Sequence, residues 1–152
     1  MLALQLETTH TKSFMGRLLR EELFDPFEVR SMDIHAGVLA TVDGLQDPPN
    51  EEAPPTFASW QTLRQLALAI IKISPKPKYV KLVLSYQAQG IQDIHPNAAA
   101  LFLNITYEND TVTFTTGTAQ REFLLEKSLD QNWDSWVMGF FKQHQIPVVE
   151  RG

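Results

Sequence analysis

The stretch Leu101-Phe102-Leu103-Asn104-Ile105-Thr106-Tyr107-Glu108-Asn109-Asp110-Thr111-Val112-Thr113-Phe114-Thr115-Thr116 decides the fold. Leu101, Leu103, Ile105 and Tyr107 recur every second residue, Glu108 to Thr111 carries turn chemistry, and Val112, Phe114 and Thr116 alternate back. This is a β-hairpin with one apolar side, so the chain builds an antiparallel sheet that buries one face. Downstream, Gly117 interrupts the pattern, and a further short strand is expected around Glu122 to Leu125. Ser128 then caps a helix running to about His144, with Leu129, Trp133, Trp136, Val137 and Phe140 on a wide apolar side. Beyond Pro147 a loose tail is expected, residues 147–152.

Upstream, Lys78 to Tyr86 reads as a strand with Val80, Leu82 and Leu84 inward, followed by a loop from Gln87 to Asn97. Ser59 caps a largely buried helix from Trp60 to about Ile73, in which Leu63, Leu66, Ala67, Ile70 and Ile71 face the core. Leu45 to Thr56 holds Pro48, Pro49, Pro54 and Pro55 with Asp47, Glu51 and Glu52, and can neither fill a core nor supply a ladder of donors. It is an exposed loop within one domain, because each half of the chain alone is small. Phe27 to Ile34 and Ala36 to Asp43 are two strands whose junction, Ser31 to His35, breaks register; Val38, Ala40 and Val42 point inward. Thr9 or Thr11 caps a helix with Phe14, Met15, Leu18 and Leu19 on one stripe, and Leu2, Leu4 and Leu6 open the sheet.

Three helices among six or seven strands joined by hairpin-length connections give an α+β domain, residues 1–152, with a mainly antiparallel sheet and the helices packed on one side. Cysteine is absent, which excludes disulfides, thiolate metal sites and cysteine nucleophiles. No segment has the apolar length of a membrane span, and Met1 to Lys12 lacks the basic start and apolar run of a secretory signal, so a cytoplasmic protein without a membrane partner is expected. No glycine spacing builds a phosphate loop or a dinucleotide fingerprint, and no G-x-S-x-G elbow occurs.

Two motifs invite a metal or a ligand. Asp33-Ile34-His35 and Asp93-Ile94-His95 repeat a tripeptide whose carboxylate and imidazole share a face in extended backbone. A chain this long contains on the order of ten thousand tripeptide pairs, and about two such matches arise by chance at ordinary composition, so no metal or other cofactor is assigned. Trp133 and Trp136 recur at helical spacing with Leu129 and Phe140 and read as core. Thr116-Gly117-Thr118 reads as a bulge or turn before it reads as a ligand contact.

Charge is the uneven feature. Residues 53–92 hold five bases, Arg64, Lys72, Lys76, Lys78 and Lys81, and no acid, whereas the flanking segments are acidic and the chain carries −5 overall. These five residues are the candidate surface for a protein or other anionic partner. A competing role is structural, with lysines complementing a helix C-terminus or pairing with Asp47, Glu51 and Glu52. The overall negative charge argues against nucleic acid.

Met1-Leu2-Ala3-Leu4, Phe24-Asp25-Pro26-Phe27, Trp60, Leu101 to Asn109, Thr115-Thr116-Gly117-Thr118, and Lys127-Ser128-Leu129-Asp130 leading to Trp133-Asp134 together resemble a family of small bacterial proteins of unknown function. The loops Leu45 to Thr56 and Gln87 to Asn97 fall outside the resemblance. It implies a bacterial cytoplasmic protein and brings no activity with it. The residues themselves favour a non-catalytic binding or interaction module. The alternative is a small-ligand carrier or enzyme with a pocket between the C-terminal helix and the sheet.

Overall fold

A computed structural model describes residues 1–151. Strands β1 (Ala3–Leu6), β2 (Phe27–His35), β3 (Leu39–Asp43), β4 (Tyr79–Tyr86), β5 (Ala98–Glu108), β6 (Thr111–Gln120) and β7 (Val148–Glu150) form one sheet in the order β3-β2-β4-β5-β6-β1-β7. Every neighbouring pair is antiparallel. The helices are α1 (Thr11–Arg20), α2 (Trp60–Ile71), α3 (Ile91–Ile94) and α4 (Ser128–Gln143).

Period-two patterning puts Leu4, Leu6, Phe27, Met32, Ile34, Leu82, Leu84, Leu103 and Phe114 on one side of this sheet, all buried. Phe14 and Leu18 of α1, Trp60 and Ala67 of α2, and Leu129, Trp133, Val137 and Phe141 of α4 are buried in the same core. Their indoles are satisfied by main chain: Trp60 Nε1 donates to Leu18 O at 2.9 Å, and Trp133 Nε1 to Phe102 O at 2.9 Å. Trp136 is only half-buried, stacked on Trp133 at 5.2 Å between ring centroids. Among the described residues the other side of the sheet carries no helix. Asp33, Lys81, Thr106, Thr113 and Gln5 lie on it in one cross-strand row.

Several expectations are corrected. Glu122 to Leu125 is not a strand, because both sides of β6 are already taken by β5 and β1. That segment is instead pinned by side chains. Asn97 bonds Glu122 through both its amide atoms, and Gln120 does the same for Leu124, leaving Phe123 and Leu125 more than 80% exposed. The tail is not loose: Val148–Glu150 is β7, whose pairing covers the outer side of β1. The loop 87–97 contains α3, so the α-helices among the described residues number four, and Ile91 and Ile94 at i,i+3 explain it by packing on the core.

Phe27–His35 is one unbroken strand with its irregularity between Val29 and Ser31, and the turn comes at Gly37 (φ 81°), which leaves Val38 exposed. Ser59 does cap α2, accepting from Thr62 N at 3.1 Å, but Ser128 does not cap α4, and neither Thr9 nor Thr11 caps α1, where the Thr11 hydroxyl donates to Asp110 O instead. Nor is α2 largely buried, because it packs mainly on β2 and α1, and Leu66 remains 44% exposed.

Candidate functional site

The turn of the deciding hairpin organises one end of the molecule. Asn109 (φ 54°) and Asp110 (φ 58°) both take the left-handed conformation that a two-residue hairpin turn requires and that short polar residues tolerate. Once placed, Asp110 is a three-way tie. Its Oδ1 accepts from the Tyr107 hydroxyl at 3.0 Å, its Oδ2 from Lys76 Nζ at 3.3 Å, and its carbonyl from Thr11 Oγ1 at 2.9 Å. β5, the start of α1 and the Ser74–Lys78 loop between α2 and β4 are thereby held together. The Tyr107 hydrogen bond, and then Lys76, lower the pKa of Asp110 below the ordinary aspartate range. Burial, and then Asp110, raise that of Tyr107.

An open groove lies on each side of this tie. One, of about 810 Å³, is bordered by His35, Lys76, Lys78, Tyr79 and Glu108; the other, of about 400 Å³, by Lys12, Met15, Leu19, Ile71 and Pro75. Lys76, Pro77, Tyr107 and Asp110 line both. The imidazole of His35 leans on Tyr79 at 5.0 Å between ring centroids, and Lys78 N donates to His35 O at 2.8 Å, which fixes the groove wall.

The five candidate bases do not form one surface. Lys76 and Lys78 come together at the grooves. Lys72 ends α2 and is exposed, and Lys81 stands on the helix-free side of the sheet opposite Asp33 and Thr106. Arg64 is removed by a two-pronged pair with Asp25, both bonds 3.0 Å, with the two side chains only 15% and 13% exposed. Asp47, Glu51 and Glu52 hold none of these bases. The ion pair at Lys76 is with Asp110, and it is exposed.

Groupings that resemble chemistry resolve into scaffolding. His95 Nε2 lies 2.8 Å from Ser128 Oγ, which also bonds Glu126, a set of the kind used by serine hydrolases. Here, however, His95 Nδ1 accepts the main-chain N–H of Asn97 at 3.0 Å, so the imidazole proton sits on Nε2 and is donated to Ser128. The hydroxyl in turn donates to the Glu126 carboxylate, and the imidazole, already a donor to that oxygen, does not serve as its base. Thr116 Oγ1 accepts from Leu2 N at 2.7 Å and donates to Asp134 at 2.7 Å, while Thr118 donates to Asp130, so both threonines tie β6 to its neighbours. Among the described residues no three of His, Cys, Asp and Glu converge as metal ligands, and His35 and His95 belong to separate contacts. The space between α4 and the sheet is filled by Trp133, Val137, Phe140 and Phe141.

One contact has no sequence signal at all. Arg30, on the helix-free side, lies 4.0 Å from the ring centroid of Phe57 and 5.3 Å from that of Phe102, and its Nε donates to Ser85 Oγ at 3.0 Å. It clips the return of the proline loop to the sheet.

Residues 17–149, from α1 to the middle of β7, match the model of a family of unknown function, DUF5721. The chain belongs to that family. The match takes in α2, β4 and the hairpin, and with them Lys76, Lys78, Tyr107 and Asp110. No curated protein and no solved structure matches the chain. No helix among the described residues is long and apolar enough to cross a membrane.

Proposed function

We propose that the chain is a non-catalytic binding module that takes an acidic protein segment along the grooves beside Lys76 and Lys78. The observation that carries this reading is the convergence of Lys12, Lys76 and Lys78 around two adjoining grooves whose floor Asp110 ties to Tyr107 and Thr11. A rigid floor lowers the cost of binding, and the ammonium groups attract and orient an anionic segment. The Lys76–Asp110 pair is no obstacle, since exposed ion pairs contribute at most about 1 kcal/mol and exchange readily. A protein segment is preferred to nucleic acid because the chain as a whole carries −5. The reading includes a cytoplasmic setting, in keeping with the cysteine-free composition.

Fluorescence anisotropy with labelled poly-aspartate tests it. Binding is expected to weaken steeply with added salt. The double change Lys76→Glu, Lys78→Glu is expected to weaken it at least tenfold with the melting temperature nearly unchanged, while Lys81→Glu leaves it intact. Equal binding by wild type and the double variant, or no binding at low salt, overturns the proposal.

A further inference from the structure

Phe123 and Leu125 are among the most exposed large apolar side chains of the chain, at 83% and 82%. They belong to Glu122-Phe123-Leu124-Leu125-Glu126, between β6 and α4, a segment held in place by two side-chain amides. Asn97 accepts from Glu122 N at 3.0 Å and donates to Glu122 O at 2.9 Å. Gln120 makes the same two bonds to Leu124, both at 3.0 Å. Contiguous apolar residues exposed in this way mark an interaction site, and main chain already fixed loses little freedom on binding.

Acids flank the apolar pair. Glu122 is exposed and, among the described residues, is held through its main chain alone, while Arg121 beside it is turned back to Gln92 Oε1 at 3.4 Å. Glu126 accepts from Ser128 N at 3.1 Å, and Lys127 borders a separate groove with Asp130.

A complementary surface lies at the opposite end of β6. The groove of about 400 Å³ beside α1 is lined by Met15, Leu19, Ile71 and Pro75, with Lys12 and Lys76 next to them. It suits apolar side chains adjoining carboxylates, which is the composition of residues 122–126. Within one chain the two do not meet. β6 starts at Thr111, next to Asp110 in the groove, and ends at Gln120, next to the segment; its ten residues span about 30 Å.

We infer that the acidic segment taken up beside Lys76 is residues 122–126 of a second copy of this chain. Phe123 and Leu125 of one copy enter the apolar groove of the next, and Glu122 approaches its Lys12 and Lys76. This rests on the binding-module reading above and names its partner. The two contacting surfaces are different patches, so each copy offers its segment to one neighbour and its groove to another. Assembly therefore runs head to tail and passes beyond two copies. A lipid surface fits the segment less well, because Glu122 and Glu126 would face anionic headgroups.

Sedimentation velocity of the full chain at low salt, over a range of concentrations, tests this with two double variants. Phe123→Ser with Leu125→Ser removes the inserted side chains, and Lys12→Glu with Lys76→Glu reverses the charge beside the groove. All four positions are exposed, so the melting temperature of each monomer is expected to stay nearly unchanged. Wild type is expected to form species larger than 17.3 kDa that grow with concentration, and each variant alone to associate at least tenfold more weakly. Mixed in equal amounts, the two variants are expected to form a dimer and stop there, since each pair holds one intact segment and one intact groove. Poly-aspartate is expected to dissolve the wild-type assembly. A wild type that binds poly-aspartate yet stays monomeric at every concentration overturns this inference alone, its segment then serving a lipid surface or another protein. Failure to bind poly-aspartate, with association absent or indifferent to the lysine changes, overturns both readings. Association that survives either double variant, or a mixture that recovers no dimer, places the contact elsewhere and overturns the inference.

Discussion

Asp110 shows how one exposed carboxylate can set a local architecture without any burial of its own charge. Its pKa is lowered, so the fold favours the ionised form; its contribution is whole above the ordinary aspartate range and is lost as pH falls through the lowered value. Tyr107 runs the other way: its raised pKa means the fold favours the neutral phenol, whose contribution is whole below the ordinary tyrosine range and is lost as pH rises through the raised value. Asp110→Asn is therefore expected to lower the denaturation midpoint at neutral pH and to match wild type in acid, measured as midpoint against pH for both proteins. A midpoint difference that persists in acid contradicts the assigned role. At this scale the sequence was only partly readable. Asn109-Asp110 announces a turn by its residue types, and Lys76 and Lys78 announce charge. That Asp110 binds Lys76, and that Asp25 neutralises Arg64, depends on contacts spanning 34 and 39 residues, which no local pattern encodes.

Elements follow local periodicity wherever a side chain faces one neighbour, and depart from it where the sheet's topology intervenes. α1, α2, α4 and the β5–β6 hairpin were legible from period and turn chemistry. β7 was not, because Val148–Glu150 is too short to show alternation and forms only where the outer side of β1 needs a partner. Glu122 to Leu125 has strand-forming residues yet no free neighbour to pair with. The glycines make the same contrast testable. At Gly16 in α1 and Gly139 in α4 a Cβ would meet nothing within 4 Å, so alanine should stabilise each helix by about 0.5–1 kcal/mol. At Gly44 a Cβ would overlap the carbonyl of Val29, main chain that cannot step aside, so Gly44→Ala should cost more than about 2 kcal/mol. Chemical denaturation of the three variants separates these signs, and a stable Gly44→Ala protein would mean that the Val29 bulge yields.

For the whole molecule, alternation and turn signals were enough for an antiparallel α+β sheet with one helical side, because burying a single face is a local demand repeated in every strand. Strand order was beyond reach, since β1 lies between β6 and β7 through pairs such as Leu4 with Phe114 and Leu4 with Glu150. That placement has a consequence for synthesis on the ribosome. β2, β4 and β5 can pair as soon as they emerge, but Leu4 and Leu6 wait until residues beyond 110 have been made. At about 5–20 residues per second the wait is roughly 5–20 s, during which an apolar N-terminal segment is open to chaperones. Nascent chains arrested after β5 should therefore be cut by protease within Ala3–Leu6 while β2 to β5 resist, and chains released after β7 should resist throughout.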